Sequence, residues 1–389
     1  MGQKKTGKHL IDLTLLEIGA FSLFTGGATR NEYTSVVRIC LCHHSGGLGT
    51  ASDRSLWHGY CIYTSVSRVT GTQPISHISV RRWFLLYQSL PQNIQIVEVG
   101  PRDGFQNVKD FIATEDKISI ISGLIDAGVT NLEVTSFVSP KAIPQMADAA
   151  AVSRAILEKY GDKIQASALV PNLKGAQSAW EAGIREVACV ISVSPAHNKA
   201  NINRTHEESL ADLQKMMEAL PDLKVRVDLA TTFACPFDGW VDPNAVVKLA
   251  KAVTALGVRD MVLCDTIGVA TPDRIYSTSR MMKETFPNVK FSLHLHDTRG
   301  MGLVNTIAGL QAGVFSYETS ISGLGGCPFA PGAAGNTATE DVVNMFNDMN
   351  IPAGIDLQKL LDVTALVSAK VNAPLTSHMS KAKIYDSLR

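Results

Sequence analysis

Two charged side chains stand directly after an apolar segment of the sequence. Residues 94–99 have the composition of a buried strand, and Gly100 and Pro101 end it. Arg102 and Asp103 come next, so a cation and a carboxylate lie side by side at the strand end. Burial of a charged pair costs free energy, so a buried pair here would indicate a functional site. A turn with an ion pair on the surface has the same sequence pattern and is the alternative.

A second apolar segment, 289–296, ends with two histidines. His294 and His296 are two residues apart, and side chains with that spacing on a strand point to the same side. Two imidazoles that face a carboxylate, such as that of Asp103, from another strand end form a divalent-metal site in outline. The alternative is that they are ordinary core and rim histidines.

A glycine-rich stretch, 323–336, has the composition of a mobile loop over a site. It holds five glycines around Cys327, whose surroundings suit an exposed thiol at a loop tip, although a buried apolar filler is the alternative. Asn336 ends the stretch just before a predicted helix. It either caps that helix or offers its amide oxygen to a metal ion.

Strand-like and helix-like segments alternate from residue 94 onward, which is typical of a parallel sheet covered by helices. Eight such units in one run predict a closed (β/α)8 barrel, a TIM barrel, whose C-terminal strand ends share the active-site face. A doubly wound open sheet is the alternative, but the first turn lacks the Gly-x-Gly-x-x-Gly pattern. The predicted strands cover 94–99, 129–137, 165–170, 186–192, 224–232, 260–265, 289–296 and 316–321. The predicted helices cover 113–127, 146–160, 173–182, 205–220, 243–256, 272–286, 303–312 and 338–349, with further C-terminal helices over 357–371.

The net charge, the lengths of the apolar runs and the cysteine pattern argue against several classes of protein. The 389 residues carry no net charge, which argues against nucleic acid as the main partner. No uncharged apolar run reaches the roughly 18 residues that a membrane span needs. The seven cysteines include no convincing Cys-x-x-Cys motif, so a reduced intracellular compartment is expected.

The first ninety residues differ in composition from the rest. They hold nine of the 36 basic residues and four of the 36 acidic ones, which leaves 27 basic and 32 acidic residues beyond Pro91. We therefore expect a poorly ordered extension over 1–92 and a barrel domain over 93–389. The extension has the composition of an organellar transit peptide, and its start also fits a myristoylation pattern. A start codon assigned too far upstream, leaving a segment without function, is the alternative. Its metal-ligating residue types are too tightly spaced to wrap one tetrahedral ion: Cys40, Cys42, His43 and His44.

Six motifs from residue 95 to the end resemble, in the same order, those of 3-hydroxy-3-methylglutaryl-CoA lyase. They are VGPRDGFQN at 99–107, TSFVSPK at 135–141, DTIG at 265–268, HLHDT at 294–298, GLGGCP at 323–328 and GNTATED at 335–341. The wider group, the DRE-TIM metallolyases, includes isopropylmalate and homocitrate synthases. Those synthases usually have Glu where this chain has Phe105, so the lyase branch is favoured.

The resemblance implies a metal-dependent enzyme that cleaves 3-hydroxy-3-methylglutaryl-CoA, an acyl-CoA, into acetoacetate and acetyl-CoA, as in leucine degradation and ketone-body formation. It implies a homo-oligomer, expected as a dimer, that is cytoplasmic in a bacterium, or mitochondrial if 1–92 is a transit peptide. By resemblance Arg102 stabilises an enolate and Cys327 lies on the active-site loop. The implied ligands of Mg²⁺ or Mn²⁺ are Asp103, His294, His296 and Asn336, and the further active-site positions are Gln106, Glu133 and Asp265.

One residue departs from the family pattern. Many members have an acidic residue at the position of Pro195. A lyase for a related 3-hydroxy-3-methyl acyl-CoA, such as citramalyl-CoA, is therefore the alternative substrate assignment. A metal-binding barrel without catalysis is an alternative of a different class.

Overall fold

The structure is a computed structural model that describes residues 91–326 and 335–382, together with the backbone of three N-terminal strands. Those strands form an antiparallel sheet that was not predicted from the sequence: Leu13–Glu17, Ser35–His43 and Tyr60–Arg68. The prediction that the extension is poorly ordered concerns residues outside the described ones. The same holds for the side chains of Cys40, Cys42, His43 and His44. The chain divides into two units at Gln88 and Ser89.

Eight parallel strands of the second unit close into a barrel, as predicted. Each strand pairs with its neighbours along the chain, and the eighth pairs with the first. Most observed strands lie inside the predicted ones, because the predicted ends include loop residues that continue the extended chain. In chain order, β1 to β8 are Gln95–Glu98, Asn131–Ser136, Gln165–Leu169, Glu186–Ser192, Lys224–Ala230, Asp260–Asp265, Lys290–Leu295 and Ser316–Thr319.

Helices follow the strands and cover the outside of the barrel. In chain order, α1 to α10 are Thr114–Asp126, Ala149–Tyr160, Leu173–Glu181, Pro195–Ile202, His206–Ala219, Pro243–Ala255, Pro272–Thr285, Gly302–Gln311, Thr339–Asp348 and Leu357–Lys370. Ile121 and Leu124, on the predicted apolar face of α1, are fully buried. Burial of each such side chain contributes about 1.5–3 kcal/mol to stability. None of the helices in the described part of the chain is long and apolar enough to cross a membrane.

One described helix, α4, is missing from the sequence prediction. It has eight residues and few apolar positions, so no period of 3.6 marks it. Its start nevertheless carries local signals: Ser194 accepts a hydrogen bond from the backbone N–H of His197, and Pro195 occupies the first turn. The next helix, α5, begins with a capping box of Thr205 and Glu208.

Candidate active site

The turn after β1 brings Arg102 and Asp103 to the C-terminal mouth of the barrel. The chain forms one wide helical turn over Gly100–Gly104, and both side chains are buried within it. The guanidinium of Arg102 pairs with Asp103 through Nη1 and with Glu133, from β2, through Nε. The structure therefore shows a buried ion pair, and a solvent-exposed turn is excluded.

Both histidines lie in the same mouth, opposite Asp103. Nε2 of His294 is 3.1 Å from Nε2 of His296. Nδ1 of His294 is 2.8 Å from Oε2 of Glu318, a buried carboxylate of β8. Since a carboxylate accepts, Nδ1 carries the proton, and Nε2 is the nitrogen that His294 would offer to a cation.

Asn336 completes the cluster, and it does not cap α9, whose N-cap is Ala338. Its Nδ2 donates to Oδ2 of Asp103 at 2.7 Å and to the carbonyl of Leu324 at 3.0 Å. Its Oδ1 is buried and has no hydrogen-bond partner among the described residues. Gly325 packs against this amide so closely that a Cβ there would lie 2.4 Å from Nδ2, and its φ is +124°.

The cluster fits a divalent cation. Ligand atoms of Asp103, His294 and His296 all lie within 4.8 Å of one another. Two imidazole nitrogens that face each other, and the orphaned Oδ1 of Asn336, are the arrangement that a shared cation satisfies.

A buried ion-pair network continues from the cluster into the barrel. Sequence reasoning named Arg102, Asp103 and Glu133 but missed the other members. They come from β5 and β8, and they are Arg226, Asp228 and Glu318. Two arginines against four carboxylates give a net charge of −2 when all four carboxyls are ionised and the histidines are neutral. A divalent cation would neutralise that charge.

The surroundings shift the pKa values of these groups in both directions. Burial, and then the neighbouring His294, lower the pKa of His296 to about 4, so this imidazole is neutral at pH 7. Burial opposes ionisation of Asp103, but Arg102 and the two histidines outweigh it and lower its pKa. Burial raises the pKa of Asp228 to about 7, although Arg226 opposes that shift. Asp103 and His296 are thus in the protonation states that metal ligands require.

Two further predicted positions, Gln106 and Asp265, have different surroundings. Gln106 donates through Nε2 to Oδ1 of Asp103 at 2.8 Å. Asp265 is fully buried and accepts backbone N–H bonds from Val269 and Ala270, so its contacts are structural. Cys327 lies outside the described residues.

A cavity of about 730 Å³ opens beside the cluster, which is the size of a small-molecule site. It runs from Arg102 and His296 past Asp228 to Asn201 and Arg204 at the end of α4. His197, a residue that sequence reasoning missed, also lines it, whereas Pro195 and Glu133 do not. Pro195 is exposed, so its departure from the family pattern does not shape the wall of this cavity.

The chain is similar in sequence to known proteins. Residues 93–367 match the family described as HMGL-like. The chain is 41% identical over 289 residues to a hydroxymethylglutaryl-CoA lyase of Bacillus subtilis, which covers 74% of this chain and 96% of that protein. It is 37% identical over 299 residues to an (R)-citramalyl-CoA lyase of Chloroflexus aurantiacus, with 74% and 94% covered.

Solved structures show the same barrel. The crystal structure of the Bacillus subtilis HMG-CoA lyase superposes with a TM-score of 0.72 at 40% identity, covering 75% of this chain and 98% of that one. An HMG-CoA lyase of Acinetobacter baumannii, solved in complex with coenzyme A and 3-methylmalate, gives a TM-score of 0.72 at 35% identity, with 78% and 99% covered.

Proposed function

The chain belongs to the HMGL-like family of carbon-carbon lyases, and we propose that it cleaves 3-hydroxy-3-methylglutaryl-CoA into acetoacetate and acetyl-CoA. The observation that carries this proposal is the group of Asp103, His294 and His296 beside the buried cation of Arg102 at one barrel mouth. All four side chains line the same cavity.

The residues that would hold the metal ion are those of the cluster. Asp103 offers a carboxylate, His294 and His296 offer imidazole nitrogens, and Asn336 offers its unpaired amide oxygen. We propose Mg²⁺ or Mn²⁺, because mixed oxygen and imidazole ligands suit these ions. When bound, such an ion lowers the pKa of a substrate hydroxyl and fixes its orientation.

Arg102 supplies the permanent positive charge of the site. The reaction breaks a C–C bond: the hydroxyl loses its proton and becomes the ketone of acetoacetate, while the bonding electrons pass to the thioester and form an enolate. A guanidinium keeps its proton in this environment, so it stabilises the enolate oxygen throughout the reaction. Glu133 and Asp103 hold the guanidinium from two sides and limit its rotation.

The enolate carbon must then take up a proton to give acetyl-CoA. We propose that Cys327 supplies or relays it, by resemblance to the family. The two ends of its loop lie at the mouth: Asn107 donates to the carbonyl of Gly326 at 3.2 Å, and the carbonyl of Gly335 accepts from the N–H of Asp297 at 3.0 Å.

The test is a coupled assay for acetoacetate with the full chain, run with Mn²⁺ and again with a chelator. We expect turnover that depends on the metal. Equal rates in both conditions would reject the proposed chemistry.

The second candidate is cleavage of citramalyl-CoA, which the similarity to the Chloroflexus aurantiacus protein favours. The same enolate forms, but the other product is pyruvate. Pyruvate formation with no acetoacetate would select this substrate. Binding of both acyl-CoA substrates without turnover of either would instead indicate a barrel that binds metal without catalysis.

We further propose that the barrel domain over 93–389 forms a homodimer. Gel filtration with light scattering tests this, and a monomeric mass would contradict it. We propose the cytoplasm if the protein is bacterial, or the mitochondrial matrix if residues 1–92 are a transit peptide. In protein from its native cell, an N-terminus near residue 92 would indicate that the extension is removed or not translated, and an intact N-terminus would contradict a transit peptide.

A further inference from the structure

The guanidinium of Arg226 lies at the centre of the barrel, below the metal cluster. It is 4% exposed and contacts carboxylates from three strands. Nη2 is 2.6 Å from Oε2 of Glu133 and 2.9 Å from Oε1 of Glu318, and Nε is 3.0 Å from Oδ1 of Asp228. The contact with Glu318 is an ion pair without hydrogen-bond alignment, whereas the other two are hydrogen bonds.

Two of these carboxylates have their second oxygen on a residue of the active site. Oε1 of Glu133 accepts from Nε of Arg102. Oε2 of Glu318 is 2.8 Å from Nδ1 of His294. Glu133 therefore connects Arg226 to Arg102, and Glu318 connects Arg226 to His294, a proposed metal ligand.

The three carboxylates around Arg226 also have the spacing of metal ligands. They contact the guanidinium directly, so Arg226 already supplies the positive charge that an ion would bring. Without that charge, three carboxylates in a medium of low dielectric constant would repel one another. Glu133 and Glu318 would then shift, and the orientations of their second oxygens would shift with them.

We propose that Arg226 is a positioning residue that orients Arg102 and His294 at the same time, through Glu133 and Glu318 respectively. Arg226 does not line the cavity and touches no reacting atom. The half of this inference that concerns Arg102 rests on the proposed function. The half that concerns His294 is tested by metal binding alone.

The experiment compares four variants of the full chain: Arg226→Lys, Glu318→Gln, Glu133→Gln and, as a matched control, Arg280→Met. Arg280 also forms an arginine–glutamate pair, but it is about half exposed on α7. Calorimetry measures the Kd for Mn²⁺, steady-state kinetics give kcat and KM, and circular dichroism checks the fold. Lysine at 226 keeps the charge, but its single nitrogen cannot reproduce the forked contacts to three carboxylates.

The variants should show different effects for the link through Glu318 to His294 and the link through Glu133 to Arg102. Glu318→Gln should weaken Mn²⁺ binding by about 10- to 100-fold, since the partner of a ligating histidine is lost. Glu133→Gln should leave Mn²⁺ binding nearly unchanged and lower kcat by roughly 100-fold, because Arg102 loses its orientation. Arg226→Lys should do both, and Arg280→Met should do neither.

A folded Arg226→Lys protein with wild-type Kd for Mn²⁺ and wild-type kcat would overturn the proposal. If that variant does not fold, the double variant Glu133→Gln with Glu318→Gln decides. Coupling through Arg226 predicts that the two changes have non-additive effects on kcat at a fixed Mn²⁺ concentration, and additive effects would refute it. If no protein turns over substrate, the proposed function fails, while the Mn²⁺ measurements still test the link from Arg226 to His294.

Discussion

Replacing Arg102 with methionine should separate the catalytic role of this residue from its structural role. The side chain is 94% buried and forms two ion pairs, with Asp103 and Glu133. Removing one partner of a buried pair typically costs about 3–5 kcal/mol. Here Glu133 keeps Arg226 at 2.6 Å, and Asp103 keeps the amide of Asn336 at 2.7 Å. We therefore expect a loss near the low end, about 3 kcal/mol in the free energy of unfolding.

A second change should restore stability without restoring activity. Arg102→Met combined with Glu133→Gln removes a carboxylate that has lost one of its two arginine partners, so we expect the double variant to recover roughly 1–2 kcal/mol. No cation would face the enolate in either protein, so kcat should stay about 100- to 1000-fold below wild type in both. Urea denaturation measures the first quantity and the acetoacetate assay the second.

Two results would refute this reasoning. If Arg102→Met keeps a tenth or more of the wild-type kcat, the guanidinium does not stabilise the transition state to the extent that an oxyanion partner does, about 100-fold. If kcat rises together with stability in the double variant, the activity loss of the single variant was a consequence of misfolding.

Three further predictions concern the metal, a buried carboxyl and the C-terminal segment. Chelation should lower the melting temperature of metal-loaded protein, because the network regains its uncompensated charge. A ligand at 100 times its Kd stabilises the folded state by about 2.7 kcal/mol. An unchanged melting temperature would contradict this prediction. Burial raises the pKa of Glu98 from 4.5 to about 7, so the folded state binds the proton more tightly and stability should fall as pH rises from about 4.5 to 7. Urea denaturation at pH 4.5 and 7 measures this fall in the free energy of unfolding. We expect the fall to be smaller in Glu98→Gln than in the wild type, by up to about 3 kcal/mol, and equal falls in the two proteins would refute the assignment. Asp341 accepts hydrogen bonds from Ser377 and from the backbone of His378 and Met379, so Asp341→Asn should cost about 1–3 kcal/mol in urea denaturation. Asp348→Asn, at an exposed position of α9, is the control, and equal midpoints for the two variants would rule out the anchoring role.

The fold was predictable because its signals are local. Most barrel segments contain apolar residues flanked by turn residues, the long helices have an apolar face, and eight such pairs in sequence leave few arrangements. The ligand types of the metal cluster were also visible, because the motifs place them directly at strand ends. The helix α4 was missed since its local signals, Ser194 and Pro195, are not accompanied by an apolar period.

The charged centre of the barrel was missed for a different reason. Arg226 and Asp228 alternate with valine and leucine, a pattern that usually marks a strand with one face in water. In a closed barrel covered by helices, neither face of a strand is open to water. Charged residues two positions apart on one strand can therefore both point into the barrel. The available signal was the alternation within β5, which places Arg226 and Asp228 on the same side of that strand.

By itself the sequence determined the order of strands and helices and the residue types at each strand end, because these depend on neighbours a few positions away. Only the tertiary structure decided which carboxylate meets which cation. The register between strands sets the height of each side chain inside the barrel, and it arises from the closure of all eight strands together. For that reason the contacts of Arg226 with Glu133 and Glu318, which join residues about 90 positions apart, could not be inferred from the sequence.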